Sequence, residues 1–125
     1  MRKILLAVLL AACLVSVIVP PVRSATSQRD NWGAIAYSVT TTRWGAVYNY
    51  PTQARAVNAA VERCRADDCQ AVVWFRNGCG AFAKGQGAYG WGLGNTRAGA
   101  EERALAACRQ RGPRCQVVSW SCTSR

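Results

Sequence analysis

The chain has 125 residues, half of them apolar, with 16 Lys or Arg against 6 Asp or Glu and a formal charge of +10. That length suits one domain, and 18% charged residues is too few for a disordered polyelectrolyte. The complete lack of His excludes Ser-His-Asp and Cys-His catalysis, an imidazole metal ligand and a His pH switch.

Arg2 and Lys3 precede a run from Ile4 to Val19 that is apolar apart from Ser16, and Pro20-Pro21-Val22-Arg23-Ser24 follows. A basic start, an apolar stretch and then helix breakers with small residues form the pattern of a secretory signal peptide. Val22 and Ser24 suit the small-residue positions before a cut, so residues 1–24 are read as a signal peptide cleaved after Ser24. Two alternatives stand beside it. Leu10-Ala11-Ala12-Cys13 fits a bacterial lipobox with Cys13 acylated, although Leu14 to Val19 is apolar apart from Ser16 where a lipoprotein has a polar tether. The run is also slightly short of the ~20 residues of an N-terminal membrane anchor. All three predict export, with a secreted, extracellular product favoured. Cleavage after Ser24 removes Cys13 and three of the 16 basic groups, leaving 13 against 6 acidic, a balance of +7, and an even six Cys.

Residues 25–31 read as a short leader, and 32–125 as a single domain of two repeats, about 32–78 and 79–122. Gly33-Ala34-Ile35-Ala36 matches Gly80-Ala81-Phe82-Ala83, and Trp44-Gly45 matches Trp91-Gly92 at the same offset. Ala60-x-x-x-Cys64-Arg65 matches Ala104-x-x-x-Cys108-Arg109, and Cys69-Gln70-x-Val72-x-Trp74 matches Cys115-Gln116-x-Val118-x-Trp120. In the first unit, residues 33–38 and 44–48 read as short strands joined by a Thr-rich turn. Pro51 and Thr52 open a helix over 53–65, with Thr52 and its counterpart Thr96 as N-caps. Positions 54, 57, 61 and 64 keep helical spacing. The 70–75 strand has apolar residues on both faces, Ala71, Val73 and Phe75 on one and Val72 and Trp74 on the other, which predicts a central, buried strand. Ser119 and Ser121 replace Val73 and Phe75 in the second unit, which predicts an edge strand with one wet face. The fold class is α+β: a duplicated strand-hairpin-strand-helix-strand unit, two helices on an antiparallel or mixed sheet, and three disulfides. Most Trp fall at repeat-matched positions, which predicts core packing for them.

Six thiols allow 15 pairings, and spacing alone does not choose among them. Cys64 and Cys69 bracket a helix-to-strand turn, and Cys108 and Cys115 bracket the equivalent turn. Pairing Cys64–Cys69, Cys108–Cys115 and Cys79–Cys122 treats both halves alike. The spacings differ from those of a zinc site, and no metal or other cofactor is expected.

The residues resemble a known family at this point. Trp32-Gly-Ala-Ile-Ala-Tyr-Ser38, the Ala-rich helix running into Cys64 and Cys69, Asn77-Gly-Cys-Gly-Ala81 and Ala100-Glu-Glu-Arg-Ala-Leu105 before Cys108 are similar to the small secreted bacterial proteins grouped as domain of unknown function 4189. The resemblance covers roughly residues 32 to 122. It implies export and a shared fold, and supplies no catalytic residues.

Side chains must therefore carry the functional reading. Paired-carboxylate hydrolysis needs two acids across a cleft, and Asp67-Asp68 are neighbours in a turn. Gly85-Gln-Gly-Ala-Tyr-Gly90 matches the dinucleotide fingerprint, but that motif needs a strand before it and a helix directly after. Here the repeat predicts a hairpin. On the second helix Glu101 stands where Val57 packs in the first, one turn after Arg97. A helix-dipole contact and an i,i+4 pair account for it; the functional reading is a polar binding notch of Tyr89, Trp91, Arg97 and Glu101 beneath the glycine-rich loop. Arg63, Arg65, Arg109, Arg111 and Arg114 gather at the helix C-termini, where they suit the dipole or form an anion-binding rim. The expectation is a secreted, monomeric, non-catalytic binding module for an anionic partner, envelope or host component, without specific nucleic-acid binding. The alternatives are a hydrolase inhibitor acting through loop 85–90, and a carboxylate enzyme around Glu101.

Overall fold

Glycine and alanine decide how closely the layers of this fold approach. The computed structural model describes residues 16–21 and 29–124; Cys13 with its lipobox, the Ser24 cut and most of the 1–24 segment lie outside the described residues. The elements run β1 (Trp32–Tyr37), β2 (Trp44–Tyr50), α1 (Gln53–Cys64), β3 (Gln70–Arg76), β4 (Cys79–Gly85), β5 (Ala88–Gly94), α2 (Arg97–Arg109) and β6 (Gln116–Cys122). Among these described residues, no helix is long and apolar enough to cross a membrane.

The strands form two antiparallel three-stranded sheets, β2-β1-β3 and β5-β4-β6, rather than one. Each sheet gives one face to its own helix. Ala34, Ala36 and Val47 pack on Ala56, Ala60 and Cys64 of α1, while Ala81, Ala83 and Ala88 pack on Ala100, Ala104 and Cys108 of α2. The other two faces meet each other through Ile35, Tyr37, Val73 and Phe82. The layers are thus helix, sheet, sheet, helix.

Both helices start as expected. The Thr52 hydroxyl accepts from the Arg55 N–H at 3.2 Å and the Thr96 hydroxyl from the Gly99 N–H at 3.1 Å, meeting donors that a helix start leaves unpaired. The α1 helix ends where Arg65 turns left-handed, with φ 56°. The helices then lie almost on the sheet backbone. A Cβ on Gly90 would sit 2.2 Å from the Ala104 carbonyl, and one on Gly45 2.5 Å from the Ala60 carbonyl. Side chains on β5 therefore divide: Gly90, Gly92 and Gly94 face α2, and Tyr89, Trp91 and Leu93 point the other way.

That contact corrects the match between the halves. Gly45 faces Ala60 and Cys64 just as Gly90 faces Ala104 and Cys108, so Trp44-Gly45 corresponds to Tyr89-Gly90, not to Trp91-Gly92. The second hairpin turns tightly at Gln86-Gly87, where Gly87 has φ +64°, and so is shorter than the first. An identical dipeptide at a constant offset concealed the shortening.

Ser119 and Ser121 are also corrected: they are buried, at 3% and 5% exposure. The face read as wet is the one covered by the other sheet. Both β3 and β6 are edges of their own sheets. Each carries a register shift at the same point, opposite Ile35/Ala36 and Phe82/Ala83. The extra residues, Val72 and Val118, join the layer between the sheets, so strict alternation along 70–75 fails there.

The disulfides are Cys64–Cys69, Cys108–Cys115 and Cys79–Cys122, the pairing that treats both halves alike. The first two fasten each helix end to its following strand. The third joins β4 to β6 at a directly opposed pair.

Candidate functional site

Tyr37 ends β1 and Lys84 is the last residue but one of β4, and the stacking of the sheets brings the two ends together. The Lys84 ammonium donates to the Tyr37 hydroxyl at 2.9 Å and lies 5.3 Å from the ring centre. This hydrogen bond holds Lys84 above its usual range, against the opposing effect of desolvation. On either side of the pair a depression opens between the sheets.

The first depression, about 380 Å³, is lined by Tyr37, Asp68, Gln70, Phe82, Tyr89 and Trp91, with Val39 and Val72. It adjoins a second hollow of about 230 Å³ bounded by Trp74 and Leu93, the two sharing Val72 and Trp91. At its mouth the Ser38 hydroxyl donates to one Asp68 oxygen at 2.5 Å, and the Thr40 N–H donates to the other at 3.1 Å. Ser38, fully buried, can give this proton because it accepts from the Thr41 N–H and hydroxyl. The Ser38 bond is the main reason that the Asp68 carboxyl sits below its ordinary range.

The depression on the other side, about 430 Å³, is lined by Lys84, Arg114, Gln116 and Val118 with Tyr37 and Thr42. It shares Thr42 with a hollow of about 460 Å³ bounded by Arg43, Trp44, Arg63 and Arg65. No carboxylate lines either. The two sides are counterparts: Asp68 and Arg114 each precede the second Cys of a helix-closing disulfide, and Gln70 and Val72 correspond to Gln116 and Val118.

The expected notch of Tyr89, Trp91, Arg97 and Glu101 is not brought together. Tyr89 and Trp91 face away from α2, on the opposite side of their sheet. Arg97 instead binds Glu101 at 2.5 Å and lies 4.0 Å above the Trp120 ring. Glu101 is thus held in the i,i+4 pair that the plainer reading expects.

The arginine rim is divided. Arg63, Arg65 and Arg114 fall on the side with Arg43 and Lys84. Arg109 ends α2 outside those hollows, and Arg111 donates to the Tyr89 carbonyl at 3.4 Å. Nor are most Trp in the core: Trp44, Trp74, Trp91 and Trp120 are each 40–53% exposed. Helices that touch strand backbones leave no room for indoles on the inner faces.

Sequence reasoning missed Tyr37, Asp68, Gln70 and Lys84 as site residues. The available signal was the opposite charge at the position before each second Cys. The family model for a domain of unknown function, DUF4189, matches residues 32–122. The chain belongs to that family. Among relatives of this DUF4189 domain, Protein Rv1269c of Mycobacterium tuberculosis is 43% identical over 76 residues, 61% of this chain and 60% of the relative. Uncharacterized protein Rv1813c of the same organism is 37% identical over 92 residues, 74% of this chain and 60% of the relative. The chain thus spans about 60% of the length of these curated relatives. The NMR structure of Rv1813c matches the DUF4189 domain with a TM-score of 0.53 at 34% identity, covering 74% of each chain.

Proposed function

We propose that this DUF4189 domain is an exported, disulfide-braced, non-catalytic module that binds an anionic partner through the face between β2 and β6. The observation that carries the reading is the pair of adjoining hollows holding Lys84 and Arg114 on one side of Thr42 and Arg43, Arg63 and Arg65 on the other, without a carboxylate. Cations gathered in concave surface raise the local concentration of an anion and provide several donors to its oxygens. Three disulfides support the exported state.

The inhibitor reading has less support. Residues 85–90 lie largely within β4 and β5, and only Gln86 and Gly87 turn between them, so the hairpin lacks a long inserting loop. The Gln86 N–H is also tied to the Pro113 carbonyl at 2.9 Å.

Titration with inorganic polyphosphate, followed by Trp fluorescence, tests the reading. Binding that weakens steeply as salt rises from about 20 to 200 mM is expected. Absence of binding at the lower salt overturns it.

A further inference from the structure

The depression beneath Trp91 differs in chemistry from its cationic counterpart, and its features arise independently of the anion-binding face. Because Gly90 and Gly92 must face α2 at backbone contact, Tyr89 and Trp91 are driven to the side where the sheets part. Trp91 remains 53% exposed there. Tyr89 and Phe82 stack with ring centres 6.1 Å apart and planes 16° from parallel, giving the hollow an aromatic wall. Val72, displaced by the irregularity in β3, adds an apolar edge.

One fixed charge stands at this surface. Ser38 and Thr40 hold both Asp68 oxygens in place, so the carboxylate is positioned before any ligand arrives. No Lys or Arg lines the hollow. Asp68 belongs to neither ion pair found among the described residues, Arg76–Asp30 and Arg97–Glu101. Lys84, which lines the depression on the other side, is directed to the Tyr37 hydroxyl. Aromatic faces beside an uncompensated carboxylate attract a positive charge carried on an apolar body. The volume, about 380 Å³, lies in the range of small-molecule sites.

We propose that this groove binds a small organic cation, its ammonium group directed to Asp68 and its aromatic or apolar body against Tyr89 and Trp91. Gln70, at the same mouth, offers a further hydrogen bond to the ligand's polar end.

The test compares three probes of nearly equal shape: phenethylammonium, phenethyl alcohol and hydrocinnamate. Binding to the folded, oxidised domain is followed by amide and indole NMR shifts. The expected order is ammonium, alcohol, carboxylate, with the ammonium about tenfold tighter than the alcohol and the largest shifts at Tyr89, Trp91 and Gln70. Trp91→Ala, at an exposed position, should weaken both the ammonium and the alcohol. Asp68→Asn should remove the preference for the ammonium while leaving the alcohol's affinity in place. Should Asp68→Asn fail to fold, the wild-type comparison of ammonium with alcohol still decides. Equal affinity for these two probes, no binding of either, or shifts gathered around Trp44 or Trp120 would overturn the proposal. So would binding of a Lys-bearing peptide but not of phenethylammonium, which would place a protein partner in the groove.

Discussion

Asp68 and Arg114 occupy the same place in the two halves of the molecule, each immediately before the Cys that fastens a helix to its next strand, each at the mouth of a hollow between the sheets. One position thus carries opposite charges on opposite sides of the Tyr37–Lys84 pair. The hydrogen bonds to Asp68 give a pH dependence of known sign. Its folded pKa is depressed, chiefly by the Ser38 hydroxyl, so its stabilising contribution is present above the ordinary value of 3.8 and is lost as pH falls through the lower folded value. Thermal melts from neutral pH to about pH 2 should therefore show wild type above Asp68→Asn at neutral pH, with the gap closing in acid. A gap constant across that range would show that the contribution is not that of an ionised carboxylate.

Phe75 spans the space between the sheets. A Cβ on Gly33 would lie 2.2 Å from its ring, and one on Gly80 2.4 Å, so the ring is confined from both sides. Gly80→Ala should cost about 1–3 kcal/mol in urea unfolding through overpacking. Phe75→Ala alone should cost about 3–5 kcal/mol by leaving a cavity. Combined, the two should cost clearly less than their sum; additive costs would mean that Phe75 does not need both glycines.

The two buried serines of β6 should respond in opposite directions. Ser119 Oγ has no hydrogen-bond partner, so Ser119→Ala relieves a desolvated hydroxyl and should stabilise by about 1 kcal/mol. Ser121 Oγ donates to the Val47 carbonyl at 3.2 Å, and Ser121→Ala should destabilise by about 1 kcal/mol. Chemical denaturation of the two variants checks the contrast, and shifts of the same sign would contradict it.

Loop closure ranks the disulfides. Cys79 and Cys122 are separated by 43 positions, the helix-closing pairs by 5 and 7. In the chain-entropy model the long bridge contributes about 4 kcal/mol and each short one about 2. The Cys79→Ala/Cys122→Ala variant should melt below Cys64→Ala/Cys69→Ala by calorimetry, and the reverse order would assign the greater role to the helix anchors.

Much of this architecture was legible in residue pattern. The Thr caps, the α+β class and the disulfide pairing followed from local chemistry and from treating the halves alike. The second sheet was not legible, because Ser119 and Ser121 look like solvent-facing residues until another sheet covers them. The site was hidden for a related reason. Tyr37 and Lys84 are 47 positions apart and meet only through sheet stacking. Tyr89 and Trp91 looked suited to a helix-facing notch, but the Gly90 and Gly92 contacts with α2 turned them the opposite way. The exposed Trp residues were misread because repetition suggests packing, whereas this fold packs Ala and Gly against backbone.

The central claim is that the Lys84–Arg114 face, and not net charge alone, binds the anionic partner. The most direct test is polyphosphate affinity for Lys84→Gln/Arg114→Gln beside Arg29→Gln/Arg55→Gln, which loses the same charge elsewhere. The first variant should bind at least about tenfold more weakly and with a shallower salt dependence, while the second stays close to wild type. Equal losses in the two would contradict the claim and leave only unlocalised attraction.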